Sequence, residues 1–384
     1  MRRALWISGA ILIALVVGLR ATTGSIESRY NRVRAAPPYT TSDQIRSFHQ
    51  RLLIADLHAD SLLWGRNLLQ RSSAGHVDIP RLQQAHVFFQ AFTVVTTVPR
   101  HLNIERNSAN SDLVHYLAIA DGWPAATWNS PKARALYQAK RLREFEAESK
   151  GRLRILRSRS DLAEALKSRE SGSIAAILGA EGAQPLEGRV GNLDDLYAAG
   201  FRMMSPTHFT DTAIGGSASG LRKNGLTDLG KQWVRSMESK KMLIDLAHAS
   251  PATLRDVTAI ATRPAVVSHT GVKGTCNNNR NLSDDELRAV AHTGGLIGIG
   301  YWETAVCGHD APSVARAIRY ASNIVGVEHV CLGSDFDGGT TMPFDATGLV
   351  LITEALKHEA FSDREIRLIM GENVVRLLSE VLPD

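Results

Sequence analysis

Cysteine is scarce in this chain, and its spacing excludes a sulfur-rich metal site. The 384 residues contain three cysteines, and no two of them form a CxxC pair. Cys276 and Cys307 lie in predicted loops, whereas Cys331 lies inside an apolar run. If the domain is exported to an oxidising compartment, a disulfide between Cys276 and Cys307 is expected, with Cys331 as a buried free thiol.

The body of the chain also lacks net charge. Residues 1–34 hold six Arg and one Glu, so the other 350 residues carry 38 basic and 38 acidic side chains. The basic excess therefore belongs to the N-terminus, and no basic face for nucleic acid is expected. There is no internal repeat and no low-complexity segment, and a hydrophobic content of 44% suits one large globular domain.

A long apolar run occurs at the N-terminus. Residues 4–19 are uncharged and mainly apolar, and arginines flank them at positions 2, 3 and 20. This pattern is typical of an export signal. Cleavage and retention as an anchor are both open, and the poor small-x-small pattern before residue 22 slightly favours an anchor. We predict a signal peptide or signal anchor over 1–22, a linker over 23–44 and one domain over 45–384.

Eight shorter apolar runs predict β-strands. They are rich in Val, Ile and Leu, as expected of strands that are buried on both faces. Helical patterns separate them, with Thr227, Ser283 and Ser362 as predicted N-caps. The alternation predicts an α/β fold, a (β/α)8 TIM barrel, preceded by the N-terminal hydrophobic helix. The predicted strands span 52–58, 87–95, 174–179, 202–207, 241–247, 264–269, 295–301 and 329–334.

Six of these runs end in histidine or an acid. In a parallel barrel the carboxyl ends of the strands form the active-site face. One such residue alone would be read as the first residue of a loop, but six at one end of a barrel are expected to meet. Imidazole nitrogens and carboxylate oxygens are ligands that zinc uses. The residues are His58 with Asp60, then Glu181, His208, His248, His269 and Asp335.

The motifs around these residues resemble those of the membrane (renal) dipeptidases, zinc enzymes with an amidohydrolase-type barrel. The motifs are HADSLLW, ILGAEG, THF, LIDLAHAS, VVSHTGVKGTCNNNRNLSDDEL and GSDFDGG, and the likeness extends over about residues 45–380. Each motif is only moderately specific, but the whole set in this order is strong.

The resemblance implies a site for two Zn2+ ions per chain. His58 and Asp60 would bind one ion, His248 and His269 the other, and Glu181 would bridge both. A hydroxide that bridges two neighbouring cations is a nucleophile near neutral pH. This arrangement implies amide hydrolysis.

Three further roles follow from the resemblance. Asp335 would contact the substrate and move a proton from the attacking water to the leaving amine. His208 would bind the substrate and stabilise the oxyanion. Arg280 would bind the C-terminal carboxylate of the substrate; from the sequence NNNRN alone, a surface arginine would be the simpler interpretation. The implied reaction is the hydrolysis of L-Xaa-Xaa dipeptides, with a D-residue tolerated at the C-terminal side.

Two alternatives stay open at this point. One is another binuclear amidohydrolase, acting on N-acyl amino acids, β-lactams or lactones. The other is a catalytically silent barrel that binds a partner.

The sequence departs from the mammalian pattern at Thr210, where those members have cysteine, and it shows no C-terminal signal for a lipid anchor. A bacterial protein is therefore expected, exported to the periplasm or to the outer face of the cytoplasmic membrane. Its partners would be small dipeptides, with N-terminal membrane anchoring and a homodimer as further expectations from the family analogy.

Overall fold

Nine β-strands, each parallel to its neighbours, organise the computed structural model, which describes residues 24–384. The strands are β1 (Ile54–Ala59), β2 (Val87–Val95), β3 (Leu153–Ile155), β4 (Ile174–Glu181), β5 (Phe201–Met204), β6 (Leu243–Asp245), β7 (Ala265–Thr270), β8 (Ile297–Ile299) and β9 (Val330–Leu332). Around the sheet, β2 pairs with β1, followed by β9, β8, β7, β6, β5 and β4. Residues Phe89–Val95 of β2 also pair with Ala175–Glu181 of β4, and this pairing closes the barrel. The predicted eight-stranded barrel is confirmed.

The short strand β3 lies outside the predicted set of eight. It pairs with the first residues of β4, Ile174–Ala176, whereas β5 pairs further along β4, with Leu178–Ala180. The sequence around β3 is GRLRILRS, in which arginines interrupt the apolar residues, so it forms no apolar run. The equally short strands β6, β8 and β9 lie within longer apolar runs and are therefore predicted. The partner strand, which the sequence does not reveal, decides that this segment is extended.

Helices follow the strands and cover the barrel. The predicted caps are confirmed: the Thr227 hydroxyl accepts from the Gly230 N–H, and Ser283 and Ser362 each form a capping box. Residues 24–30 are also helical. The other α-helices are Asp43–His49, Ile79–Gln84, Leu113–Ala120, Pro131–Glu148, Arg159–Lys167, Asn192–Ala198, Asp228–Ser239, Pro251–Ile260, Asp284–His292, Glu303–Val306, Ala311–Val325, Leu349–His358, Asp363–Arg367 and Asn373–Val381.

The helical segment that begins after the predicted cap Ser362 is interrupted before the end of the chain. A π-helical turn, Leu368–Glu372, separates the two final helices. A Cβ atom at Gly371 would lie 2.1 Å from the carbonyl oxygen of Leu53 and 2.9 Å from the backbone nitrogen of Ala55. The backbone of this turn therefore touches the start of β1 directly, an approach that only glycine allows.

Part of the predicted linker over 23–44 contacts the barrel. Glu27 is buried, and its Oε1 accepts a 2.6 Å hydrogen bond from Nε of Arg66, which also pairs with Asp337. The side-chain oxygen of Asn31 accepts from the Gly339 N–H at 2.8 Å. These contacts tie residues 27–31 to the loop that follows β9. The domain boundary at residue 45 stays a prediction.

The predicted signal segment over 1–22 lies outside the described residues. Within 24–384, no helix combines the length and the apolar composition that crossing a bilayer requires.

The glycine contact gives a test of the packing at the base of β1. Gly371→Ala is expected to lower the free energy of unfolding by about 1–3 kcal/mol, because backbone atoms must move to admit the methyl group. Equilibrium unfolding in urea measures the change. Gly191→Ala is the matched control, since a Cβ there meets nothing within 4 Å, and its effect should stay within about 0.5 kcal/mol. Equal effects of the two substitutions would contradict the proposed contact.

Candidate metal centre

The predicted site residues lie at the carboxyl ends of the strands. His58 and His269 belong to β1 and β7, and Glu181 is the last residue of β4. The remaining residues follow strand ends within four positions. Because all strands point the same way, these side chains meet at one mouth of the barrel. The structure brings together His58, Asp60, Glu181, His208, His248, His269 and Asp335, all of them buried.

Two of the site residues adopt a left-handed backbone conformation. His248 and Asp335 have φ values of 63° and 62°. His and Asp occupy this region more readily than most residues, although at some cost. Strained backbone of this kind is concentrated at functional sites, where the surrounding structure holds it in place.

The carboxylate of Glu181 is the centre of the cluster. Its Oε1 lies 2.9 Å from Nε2 of His248, 3.3 Å from Nε2 of His269 and 3.6 Å from Nε2 of His58. Its Oε2 lies 3.2 Å from Nε2 of His208. One carboxylate thus faces imidazoles from four strand ends.

Burial and mutual repulsion raise the pKa values of two acids in this cluster, Glu181 and Asp335. Burial raises the pKa of Glu181 well above its usual range, and the nearby charge of Asp60 raises it further. Burial likewise raises the pKa of Asp335 to about 8, with Asp60 adding to the shift and the cations of His58 and Arg280 opposing it. Without a cation, the acids therefore tend to hold protons.

The histidines divide into two kinds. Burial lowers the pKa of His248 and His269 well below the usual value, and that of His208 to about 3. At His58 burial also favours the neutral ring, but the carboxylates of Asp60 and Glu181 outweigh it and raise the pKa to about 10. Neutral imidazoles are the form that binds metals.

The donors fit a divalent metal centre. The Nε2 atoms of His248 and His269 lie 3.0 Å apart. Within residues 24–384, Oε2 of Glu181 and Nδ1 of His248 are buried without a hydrogen-bond partner. Converging nitrogen and oxygen donors with unused lone pairs are what zinc binds. In three overlapping groups, one ligand atom from each residue lies within 4.8 Å of the others. The groups are His58 with Asp60 and Glu181, Glu181 with His208 and His248, and His58 with His269 and Asp335. These groups place His208 and Asp335 among the potential donors, so the assignment of individual residues to ions stays a prediction.

Arg280 is buried at the rim of the cluster. Its Nη2 donates a 2.8 Å hydrogen bond to the carbonyl oxygen of His269, and its guanidinium carbon lies 5.5 Å from the centroid of the Trp302 ring. Interpreting NNNRN as a surface loop is therefore wrong for this arginine. A guanidinium has five N–H donors. Within residues 24–384 the Arg280 side chain donates a hydrogen bond only to His269, which leaves its other N–H groups for a ligand.

The loop that carries Arg280 is fixed at several points. A disulfide joins Cys276 to Cys307, which ends the helix Glu303–Val306. The side-chain amide of Asn281 donates to the carbonyl oxygens of Cys276 and Ala305, and its oxygen accepts from the backbone of Gly271. The predicted disulfide is present, and Cys331 is the predicted buried free thiol.

Sequence reasoning missed two polar residues that support the cluster, Thr93 and Ser268. The Thr93 hydroxyl donates to Oδ1 of Asp60 at 2.6 Å, and the Ser268 hydroxyl contacts the rings of His58 and His269 at 3.0 Å. Their only sign in the sequence is a hydroxyl residue within a mainly apolar strand, in FQAFTVV and AVVSH, and this alone does not separate them from ordinary strand residues.

The sequence profile of the membrane dipeptidases, peptidase family M19, matches residues 42–382. The chain belongs to the membrane dipeptidase family. It is accordingly a metallo-dipeptidase, and its substrates are small peptides. The Klebsiella pneumoniae protein described as an uncharacterized protein in the pqqA 5' region is 31% identical over 256 residues, which cover 62% of this chain and 93% of that protein.

Solved structures of dipeptidases share the fold. The dipeptidase AC, a metallopeptidase of family M19, has a TM-score of 0.71 at 23% identity, over 87% of this chain and 99% of its own. A Rhodobacter sphaeroides metallopeptidase liganded with a phosphinate mimic of L-Ala-D-Ala has a TM-score of 0.69 at 22% identity, over 86% and 99%. The probable dipeptidase PvdM from Pseudomonas aeruginosa has a TM-score of 0.74 at 19% identity, over 88% and 98%.

The raised pKa values predict that metal uptake releases protons. At pH 7 the metal-free dipeptidase holds protons on Asp335, with a pKa of about 8, and on His58, with a pKa of about 10. A bound cation favours the charged carboxylate and the neutral imidazole, so protons leave as Zn2+ binds and the apparent affinity rises with pH between 6 and 8.

Titration calorimetry at pH 7, in two buffers of different ionisation enthalpy, measures this release. Asp335→Asn is the matched variant and should release about one proton fewer. Heats that do not depend on the buffer would show that the donors already have their metal-binding protonation state.

Proposed function

We propose that this protein hydrolyses L-Xaa-Xaa dipeptides at a site for two zinc ions, and that it accepts a D-residue at the C-terminal position. The observation that carries the proposal is the convergence of the imidazoles on Glu181, with the buried guanidinium of Arg280 beside them. The structural relative liganded with a mimic of L-Ala-D-Ala supports the stereochemical part.

In this proposal the five ligands divide as the resemblance implies. His58 and Asp60 would hold one ion, His248 and His269 would hold the other, and Glu181 would be a ligand to both. The overlap of the donor groups at Glu181 supports its bridging role. When bound, two neighbouring zinc ions supply an acidified water as the nucleophile.

Asp335 is the proposed proton carrier. It is buried at the mouth beside His58, so it can accept a proton from the attacking water and return it to the amine that leaves. A general base is most effective when its pKa lies near the working pH, and burial shifts the pKa of this carboxyl in that direction.

His208 is the proposed donor to the oxyanion. Its pKa of about 3 keeps the ring neutral at pH 7, so a nitrogen of the ring can donate a hydrogen bond without changing its charge. Such a donor lowers the energy of the tetrahedral intermediate in a site from which water is excluded.

Arg280 is the proposed selector of dipeptides. Its contact with the backbone of His269 places the guanidinium next to a proposed zinc ligand. A carboxylate one residue beyond the scissile bond can reach it and form paired hydrogen bonds. A longer peptide has an uncharged amide at that position.

We also propose that the protein is exported and acts in the periplasm or at the outer face of the cytoplasmic membrane. The Cys276–Cys307 disulfide supports this location, because such bonds persist in oxidising compartments.

A panel of L,L and L,D dipeptides tests the main proposal. Free dipeptides should be cleaved, activity should be lost with a chelator and restored by Zn2+, and elemental analysis should find two zinc ions per chain. Preference for N-acyl amino acids or lactones would favour another amidohydrolase activity. A purified protein without bound metal would favour a silent barrel.

Asp335→Asn should lower kcat about 10²–10⁴-fold while both metal ions stay bound. The amide preserves the shape of the side chain but cannot accept the proton. Steady-state kinetics together with elemental analysis measures both effects, and an unchanged kcat would refute the proton-carrier role.

Arg280→Ala should raise KM for dipeptides by about tenfold to a hundredfold, which corresponds to the loss of a charged hydrogen bond. A substrate whose C-terminus is amidated should be affected little. Arg288→Ala, at an exposed arginine of the helix Asp284–His292, is the control. Equal losses on both substrates would contradict carboxylate recognition by Arg280.

A further inference from the structure

The hydroxyl of Ser268 lies under two of the proposed zinc ligands at once. It is 3.0 Å from Nδ1 of His58 and 3.0 Å from Nδ1 of His269. It also donates a 2.7 Å hydrogen bond to Oδ2 of Asp245. Both Ser268 and Asp245 are buried, so these contacts do not compete with bulk solvent.

The three contacts fix the direction of every hydrogen in the group. A serine hydroxyl has one hydrogen to donate and two lone pairs that accept. Asp245 accepts three hydrogen bonds: its Oδ1 accepts from the N–H groups of Ser268 and Ala247, at 2.8 and 3.0 Å, and its Oδ2 accepts from the Ser268 hydroxyl. The hydroxyl hydrogen is therefore committed to Asp245.

Both imidazoles must then donate to the serine oxygen. In the neutral form of each ring the hydrogen therefore lies on Nδ1, and Nε2 keeps a free lone pair for a metal ion. The Nε2 atoms of His58 and His269 lie 3.6 and 3.3 Å from the same oxygen, Oε1 of Glu181. A single hydroxyl thus turns the metal-binding nitrogen of two rings toward one point.

We propose that Ser268, held by Asp245, is a positioning residue that couples the two zinc sites. This inference rests on the proposed function, in which His58 and His269 bind different ions. A hydrogen bond behind a metal-binding histidine fixes its tautomer and its ring orientation, and here one such group serves both ions. Loss of the hydroxyl should therefore weaken both sites together.

His248 provides an internal contrast. Its Nδ1 is buried and has no hydrogen-bond partner among residues 24–384. Within the described chain, no side chain binds the Nδ1 side of this third ring, so no group there corresponds to Ser268. The coupling is therefore specific to the two histidines that share Ser268.

The experiment measures zinc affinity instead of activity. Metal-free protein is titrated with Zn2+ against a chromophoric chelator, and the two binding constants are compared between wild type and Ser268→Ala. The expected result is a loss of about 10–100-fold at both sites. Cobalt absorption spectra of the same proteins report whether both coordination environments change.

Two further variants separate positioning from folding. Asp245→Asn leaves the Ser268 hydroxyl in place, but the new amide group can donate a hydrogen bond to it as well as accept one. The hydroxyl is then no longer held in a single orientation, so this variant should also weaken both zinc sites. Thr353→Val is the matched control, because the Thr353 hydroxyl lies 2.8 Å from Nδ1 of His49, a buried histidine outside the metal centre. Thr353→Val should lower stability without changing zinc affinity. If Ser268→Ala does not fold, Asp245→Asn decides the question.

The inference is overturned if Ser268→Ala and Asp245→Asn bind both ions within about threefold of wild type, well short of the loss expected for an outer-shell partner. It is also overturned if only one site is weakened. Either result can occur while wild type binds two ions and cleaves dipeptides, in which case the proposed function stands. A wild-type protein that binds no zinc would instead refute the proposed function itself.

Discussion

The buried carboxylate of Glu181 is the constraint around which the active end of the barrel is arranged. It ends the strand β4, is almost entirely removed from solvent, and faces four imidazoles. A buried carboxylate is costly unless positive charge compensates it. In the absence of a cation the cluster gains protons, and His58 is the ring that carries the compensating charge. The stability of the strand ends and the chemistry of the site therefore depend on the same charge balance.

Much of this arrangement could be predicted from the sequence, because a parallel barrel converts position along the chain into position in space. The apolar runs identified the eight strands, and the polar residues that end them identified the cluster. The helix caps at Thr227, Ser283 and Ser362 were also predictable, since they depend only on neighbours along the chain.

The features that the sequence did not predict all depend on contacts between distant segments. Strand β3 is extended because β4 is beside it, and the last helix is interrupted because Gly371 touches β1. Arg280 is buried because asparagine hydrogen bonds and the disulfide fold its polar loop inward. Ser268 could not be distinguished from an ordinary strand residue until His58 and His269 were seen on either side of its hydroxyl.

The contacts of Glu27 and Asn31, and those of Asp384, place the two ends of the described chain at opposite ends of the barrel. Glu27 and Asn31 are held near the loop after β9, at the end of the barrel that carries the metal centre. Asp384, in contrast, pairs with Arg159 and Lys241, and Lys241 lies two residues before β6, at the amino ends of the strands. A purification tag or fluorescent fusion joined directly to residue 24 would consequently lie close to the mouth where peptides enter. The same addition at the C-terminus would project from the opposite pole, which makes that end the better choice for immobilising the enzyme on a solid support.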